Sequence, residues 1–219
     1  MHSVDFHTIL FDLDGTLTDP KEGITRCVAY ALAHFGIHVE DTDTLTPFIG
    51  PPLVDSFSRF YGMNEEDSLA AVEKYRERFG VAGWAENKLY DGIGELLADL
   101  KKAGKTISLA TSKPEEYAVR ILEHFDLAQY FDLICGAPMH APKGHGKVDV
   151  IEDALQRLGI TERSGVIMVG DRLHDIEGAH KAGLLCVGVL FGYGDREEHE
   201  KYGADHIAED VDELRRLLL

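Results

Sequence analysis

The sequence predicts an α/β fold in which helices cover both faces of a parallel sheet and a helical domain is inserted after the first strand. Short apolar runs predict strands at 7–13, 105–110, 132–135, 166–169 and 184–189. Helical patterns separate most of these runs, an alternation that is typical of parallel sheets. Residues 19–90 look helical and are too many for an ordinary crossover connection. We therefore expect a core at 1–18 and 91–219 and an inserted domain at 19–90.

The length and composition are typical of a globular chain. Its 219 residues are 44% hydrophobic, which suits one sizeable core and a modest inserted domain. There are 22 lysines and arginines against 39 acidic residues, so the net charge is -17. This charge repels polyanions, and we expect neither nucleic acid nor a membrane as a partner. Local cations must instead capture any small phosphate ester.

The cysteines and the hydropathy of the sequence bear on the cellular compartment that we expect. Cys27, Cys135 and Cys186 are odd in number and include no CxxC pair, so we expect buried thiols rather than a disulfide framework or a zinc site. The chain begins without a basic region followed by a long apolar stretch, and no later segment is apolar enough to cross a bilayer. We expect a soluble, cytoplasmic protein.

The helix at the start of the inserted domain has signals at both ends. Asp19 can cap it, Pro20 suits its first position, and Gly36 can end it. The prolines of 46–52 predict a shaped loop that cannot continue a helix. Further helices are expected at 53–61, 65–79, 93–103, 115–125, 148–158 and 175–182, and a last one near 209–213.

Two aspartates follow the first predicted strand. Asp12 and Asp14 lie where open α/β sheets bind ligands, and Gly15 allows a sharp turn out of the strand. One carboxylate can attack phosphorus while the other protonates the leaving alcohol and later deprotonates water. Both carboxylates repel a phosphate dianion, so this chemistry needs a divalent cation. Taken alone, the acidic turn also fits a surface loop or a calcium site.

Another predicted strand ends in two hydroxyl groups. Thr111 and Ser112 precede a predicted helix, where hydroxyls and free backbone amides can hold phosphoryl oxygens. Capping of that helix is the alternative role for this segment.

A lysine at a helix start can supply positive charge to such a site. Lys147 begins an amphipathic helix and can neutralise both a phosphate and the nucleophilic carboxylate. Lys143 competes for this role, but it lies among prolines and glycines in an expected mobile loop, so we favour Lys147. Simple solvation of a lone lysine is the alternative.

The segment 166–175 again ends an apolar strand with a glycine and carboxylates. Asp171 and Asp175 could complete a magnesium site made of oxygen ligands. Taken alone, the segment also fits a capped turn. Arg172 lies between the two aspartates, where it could form a salt bridge or point to solvent.

Together, these segments resemble the four ordered motifs of the haloacid dehalogenase-like phosphatases. The motifs are Asp12-x-Asp14-Gly15-Thr16, Thr111-Ser112, Lys147 and Gly170-Asp171-x-x-x-Asp175. The resemblance covers nearly the whole chain. It implies a Rossmann-like catalytic core and identifies the helical insertion as a cap domain.

The resemblance also implies which residues carry the chemistry. Asp12 is expected to be the nucleophile, and Asp14 the general acid and base. Thr111, Ser112 and Lys147 are expected to bind phosphate.

The same resemblance implies that Mg²⁺ is the cofactor. Asp12, the main-chain carbonyl of Asp14 and Asp171 are the expected metal ligands. Asp175 is expected to support the metal through water or to orient Lys147.

Residues 17–24 and 191–194 resemble, more narrowly, the phosphoglycolate phosphatase and 5'-nucleotidase branch of this superfamily. The expected activity is hydrolysis of a small phosphorylated metabolite, phosphoglycolate-like or a nucleoside monophosphate, through an aspartyl-phosphate. A phosphomutase would use the same motifs, and an inorganic pyrophosphatase is a further alternative. A non-catalytic binding protein could also keep this fold. The oligomeric state is left open.

Overall fold

The computed structural model describes residues 6–141 and 144–219, which divide into two compact units. The sheet unit combines the chain up to Asp19 with Leu89–Leu219, and the helical unit is Pro20–Lys88. The helical unit therefore interrupts the sequence of the sheet unit.

The helical unit contains three α-helices: α1 (Lys21–His34), α2 (Leu53–Tyr61) and α3 (Glu65–Arg78). A 3₁₀ helix at Thr42–Phe48 and a π-helical turn at Phe79–Gly83 complete it. The expected loop at 46–52 is therefore partly wrong, since the 3₁₀ helix runs through Pro47. The expected cap at Asp19 is also wrong, because Pro20 occupies the N-cap position. The carboxylate of Asp19 instead accepts a hydrogen bond from the Tyr193 hydroxyl.

Parallel strands form the main sheet of the sheet unit. The described strands are β1 (Thr8–Phe11), β2 (Thr18–Asp19), β3 (Lys88–Leu89), β4 (Thr106–Pro114), β5 (Leu133–Ala137), β6 (Val166–Gly170), β7 (Leu185–Val189) and β8 (His206–Ala208). Six of them make one sheet in the order β5-β4-β1-β6-β7-β8. Its described pairs are all parallel, as the sequence predicts.

Helices surround this sheet: α4 (Ile93–Lys102), α5 (Glu115–His124), α6 (Lys147–Leu158), α7 (Leu173–Lys181), α8 (Arg196–Tyr202) and α9 (Val211–Leu218). Successive side chains of a strand point to opposite faces. Leu10 and Met168 join one buried cluster with Ile151 of α6 and Ile176 of α7. Helix α4 also packs against β4. The predicted α/β class with a Rossmann-like core is confirmed.

Within the described residues, no helix combines the length and apolar character that a membrane span requires.

Candidate active site

The register of the sheet places the end of β1 between β6, which ends one residue past Val169, and β4, which continues past Leu109 to Pro114. Phe11, the last residue of β1, pairs with Leu109 of β4 and with Val169 of β6. The residues that follow these three are therefore neighbours, and the N–H of Asp12 donates to the carbonyl of Val169 at 2.9 Å. Open α/β sheets bind ligands at this carboxyl edge.

Gly15 turns the chain away from this edge. Its φ is +83°, in the left-handed region that side chains rarely adopt. A Cβ atom on Gly15 would lie 2.0 Å from Oδ2 of Asp171. A glycine here therefore lets the loop after β1 pack directly on the carboxylate that follows β6.

Lys147, the first residue of α6, connects the loops at this edge. Its Nζ lies 2.7 Å from Oδ1 of Asp12 and 2.7 Å from Oδ1 of Asp175, and it donates to the carbonyl of Ala110 at 3.1 Å. The three donors of the ammonium thus face three acceptors. Burial alone lowers the pKa of Lys147, but Asp12 and Asp175 outweigh it and raise that pKa above its usual range. Lys147 is therefore a buried permanent cation.

A second buried lysine, Lys113, lies beside Asp14. Its Nζ is 2.7 Å from Oδ2 of Asp14, and the two side chains are 5% and 15% exposed. Burial raises the pKa of Asp14, and Lys113 opposes this rise without cancelling it. Asp12 and Asp14 therefore have separate ammonium partners.

The motifs read from the sequence omit Lys113, although a signal for it exists. Alternate residues of a strand share a face, so Lys113 belongs with Thr111 rather than with Ser112. Thr111 and Lys113 are indeed buried while Ser112 is exposed. The N–H of Lys113 also donates to Oγ1 of Thr111 at 3.3 Å. Phosphate binding by Thr111 and Ser112 stays a prediction.

Asp171 and Asp175 form a buried carboxylate cluster with Asp12, whose ligand oxygens lie within 4.8 Å of one another. Oδ2 of Asp171 accepts a hydrogen bond from the N–H of Tyr193 at 2.8 Å. Its buried Oδ1 has no hydrogen-bond partner among the described residues. Burial first, and then Asp175 and Asp12, raise the pKa of Asp171 well above its usual range. An unsatisfied oxygen beside two further carboxylates fits the ligand set of a hard divalent cation.

The structure shows both the salt bridge of Arg172 and the capped turn that the sequence allows at 171–175. Arg172 forms the salt bridge, with its Nε 3.0 Å from Oε1 of Glu198. Oδ2 of Asp175 accepts from the N–H of Arg172 at 3.1 Å, so the segment is also a capped turn. Lys143, the competitor of Lys147, lies outside the described residues.

A family profile described as haloacid dehalogenase-like hydrolase matches residues 9–189, a span that includes every motif residue from Asp12 to Asp175. The chain belongs to this family.

Several relatives of this hydrolase are named for an enzymatic activity. A 5'-nucleotidase of Pseudomonas aeruginosa is 43% identical over 97% of this chain and 96% of that protein. A tyrosine-protein kinase PtkA of Mycobacterium tuberculosis is 43% identical over 96% of this chain and 72% of that protein. A phosphoglycolate phosphatase of Agrobacterium fabrum is 34% identical over 85% of this chain and 81% of that protein.

A solved structure agrees with these relatives. The crystal structure of a predicted phosphatase from Clostridium acetobutylicum has a TM-score of 0.92 and 46% identity, covering 96% of this chain and 97% of that chain. The predicted family is confirmed, and the haloacid dehalogenase-like hydrolase is a phosphatase that acts on phosphoesters.

Proposed function

We propose that this hydrolase releases phosphate from a small phosphomonoester through a phosphorylated Asp12. The observation that carries the proposal is the pairing of Asp12 with Lys147 and of Asp14 with Lys113. A carboxylate held by a fixed ammonium is oriented for attack. A carboxyl group whose pKa is raised by burial is suited to give and take protons near neutral pH. The two pairs therefore support different roles for neighbouring aspartates.

In the first half-reaction, an oxygen of Asp12 attacks phosphorus in line with the ester bond. The bond from phosphorus to the leaving oxygen breaks, and the carboxyl proton of Asp14 passes to that oxygen. Thr111, Ser112 and Lys147 hold the phosphoryl oxygens. The products are a free alcohol and an aspartyl-phosphate.

In the second half-reaction, Asp14 takes a proton from a water molecule. The water oxygen bonds to phosphorus, and the bond from phosphorus to Asp12 breaks. Inorganic phosphate leaves, Asp12 is again a carboxylate, and Asp14 has regained its proton.

The proposed cofactor is Mg²⁺, held by Asp12, the main-chain carbonyl of Asp14 and Asp171. The buried carboxylate cluster and the unsatisfied Oδ1 of Asp171 support this choice. Bound Mg²⁺ would offset the negative charge of the carboxylates and of the phosphate. Asp175, whose Oδ1 is 2.7 Å from Nζ of Lys147, is proposed to orient that lysine.

The helical unit, Pro20–Lys88, is proposed to be the cap domain that closes over the substrate and excludes water. The names of the relatives support phosphoglycolate-like or nucleoside monophosphate substrates. The net charge of -17 favours a small metabolite over nucleic acid or a membrane as the partner. A cytoplasmic location stays a prediction, supported by three buried cysteines.

The test is phosphate release from phosphoglycolate, nucleoside monophosphates, sugar phosphates and pyrophosphate, with Mg²⁺ and with a chelator. Asp12→Asn should abolish turnover and preserve the fold, while Asp212→Asn on the surface of α9 should leave the rate unchanged. An undiminished rate in Asp12→Asn contradicts the mechanism. Negligible hydrolysis of every ester favours a binding protein, and a strong preference for pyrophosphate favours a pyrophosphatase.

Two alternatives change the acceptor of the phosphoryl group rather than the chemistry at Asp12. A phosphomutase would return the phosphoryl group to a bound sugar. The relative named as a tyrosine-protein kinase suggests a tyrosine hydroxyl as acceptor. The same reactions should therefore be analysed for isomerised sugar phosphate and, with a tyrosine-containing peptide added as acceptor, for phosphotyrosine. Either product in place of free phosphate argues against hydrolysis.

A further inference from the structure

Helix α8 (Arg196–Tyr202) contains a buried histidine that the mechanism does not use. His199 is 0% exposed, and its Nε2 lies 3.0 Å from the main-chain oxygen of Asp171. A carbonyl oxygen can only accept a hydrogen bond, so Nε2 carries the proton and donates it. In the part of the chain that the structure describes, Nδ1 of His199 has no hydrogen-bond partner. The hydrogen bonding of this ring is thus directed at Asp171.

Glu198, the residue before His199, binds the two residues that follow Asp171. Its carboxylate accepts from Nε of Arg172 at 3.0 Å and from the N–H of Leu173 at 2.9 Å. Leu173 is the first residue of α7, and the first N–H groups of a helix have no acceptor inside the helix. Burial alone raises the pKa of Glu198, but its hydrogen bonds from Arg172 and Leu173 lower that pKa, so the group is ionised. Glu198 therefore fixes the start of the helix that carries Asp175.

Two glycines, Gly188 and Gly194, leave room for His199 of α8 to approach Asp171. A Cβ on Gly194 would lie 2.0 Å from the main-chain oxygen of Asp171 and 2.7 Å from Nε2 of His199. A Cβ on Gly188 of β7 would lie 2.4 Å from Nδ1 of the same ring. Real Cβ atoms do not approach so closely, so the histidine occupies a space that only glycines leave open.

We propose that Glu198 and His199 are positioning residues that hold Asp171 in the orientation needed to bind Mg²⁺. This inference rests on the proposed magnesium site and adds residues that none of the four motifs contains. The main-chain oxygen of Asp171 is held by His199, and its Oδ2 by the N–H of Tyr193. Oδ1 is then the oxygen left for the metal. Groups that orient a metal ligand typically change metal affinity by about 10- to 100-fold when they are removed.

The experiment measures Mg²⁺ binding to the purified full chain by titration calorimetry, with no substrate present. Glu198→Gln keeps the size of the side chain and removes its charge, and Glu197→Gln makes the same change at an exposed position of α8. His199→Leu removes the donor to Asp171, whereas His199→Gln offers an amide N–H in its place. We expect about 10- to 100-fold weaker binding in Glu198→Gln and His199→Leu. His199→Gln should bind more tightly than His199→Leu, and Glu197→Gln should bind as the unchanged chain does.

A second measurement separates positioning from a folding defect. Phosphate release at rising Mg²⁺ should recover in Glu198→Gln, because excess metal fills a weakened site. Circular dichroism and thermal melting show whether each variant is folded. If His199→Leu fails to fold, Glu198→Gln decides the matter.

The outcomes distinguish this inference from the proposed function. If the unchanged chain binds Mg²⁺ and folded Glu198→Gln binds it equally tightly, the positioning role is wrong and the magnesium site stands. If neither the unchanged chain nor Glu197→Gln binds Mg²⁺, the proposed magnesium site is wrong, and the positioning role is wrong with it.

Discussion

At the scale of single residues, Lys113 offers the sharpest test of the division between Asp12 and Asp14. If Lys113 acts by holding the Asp14 carboxylate, Lys113→Met should lower kcat, since a misplaced proton-transfer group forfeits part of the roughly 10²- to 10⁴-fold that such groups contribute. Lys113→Arg should retain more activity because it keeps the charge. Steady-state kinetics with a phosphate ester measure both.

The control for this prediction is Lys102→Met, which removes an exposed lysine at the end of α4. The decisive comparison combines Lys113→Met with Asp14→Asn. In this double variant the two losses should not add, because residues that act through one another show a coupling energy. Additive losses would show that Lys113 acts independently of Asp14.

Asp171 yields a prediction about stability. Its carboxylate is buried beside Asp12 and Asp175, and burial and these neighbours raise its pKa well above the usual range. Without a cation, Asp171→Asn should therefore raise the free energy of unfolding, on the order of 1–3 kcal/mol. The same change should remove the stabilisation that Mg²⁺ gives by binding the folded state. Thermal melting in chelator and in Mg²⁺ measures both effects, and a lower melting temperature in chelator would contradict the first.

The residues of the site differ in how far the sequence reveals them. Asp12, Asp171 and Lys147 each adjoin an apolar strand or an amphipathic helix, so local pattern places them at one edge. Strand alternation places Lys113 on the face of Thr111, but its contact with Asp14, like the contacts of Glu198 and His199, forms only in the folded chain. A sequence motif therefore reveals the reacting residues more clearly than it reveals the residues that position them.

At the scale of elements, the hydrophobic period and the length of a helix or strand decide whether the sequence predicts it. The sequence predicts the strands that have continuous apolar runs and the helices whose apolar residues recur with the helical period. Helix α8 has seven residues with the sequence REEHEKY, and β8 has three, so neither shows a period. The sequence does not predict the 3₁₀ helix at Thr42–Phe48, because Pro47 argues against an α-helix, whereas a short 3₁₀ helix accommodates the proline.

The helical unit is held at one point by a glutamate shared between two helices. Glu86 accepts from Nη1 and Nη2 of Arg78, at the end of α3, at 2.6 and 2.8 Å, and from Arg26 of α1 at 2.9 Å. Glu86→Gln should lower the free energy of unfolding of this unit by about 1 kcal/mol. Urea unfolding followed by fluorescence measures it, since the single tryptophan, Trp84, belongs to this unit.

The stabilisation that Glu86 provides should depend on pH and should decrease in acid. Hydrogen bonds from Arg78, more than its other interactions, lower the pKa of Glu86. The stabilisation is therefore complete above the unfolded glutamate pKa of about 4.3 and is lost as the pH falls through the lower pKa of the folded state. The stability difference between the unchanged chain and Glu86→Gln should shrink in acid. Glu40→Gln, in an exposed loop, should show no such difference at any pH.

At the scale of the whole molecule, the excess of acidic residues should make stability depend on salt. A net charge of -17 repels itself in the compact state, and salt screens this repulsion. Raising NaCl in the presence of a chelator should increase the melting temperature by about 2–4 °C for each kcal/mol gained. A melting temperature that falls with NaCl would show that attractive ion pairs outweigh the repulsion.

The place of β1 in the sheet has a consequence for how the chain folds during synthesis. Thr8 of β1 pairs with Thr106 of β4 and with Val166 of β6, so the central strand is made long before either neighbour. All the residues of the helical unit leave the ribosome in the interval. Pairings so distant in sequence slow folding and leave apolar strands exposed meanwhile. We expect the helical unit to become compact on the nascent chain while β1 is still a ligand for chaperones.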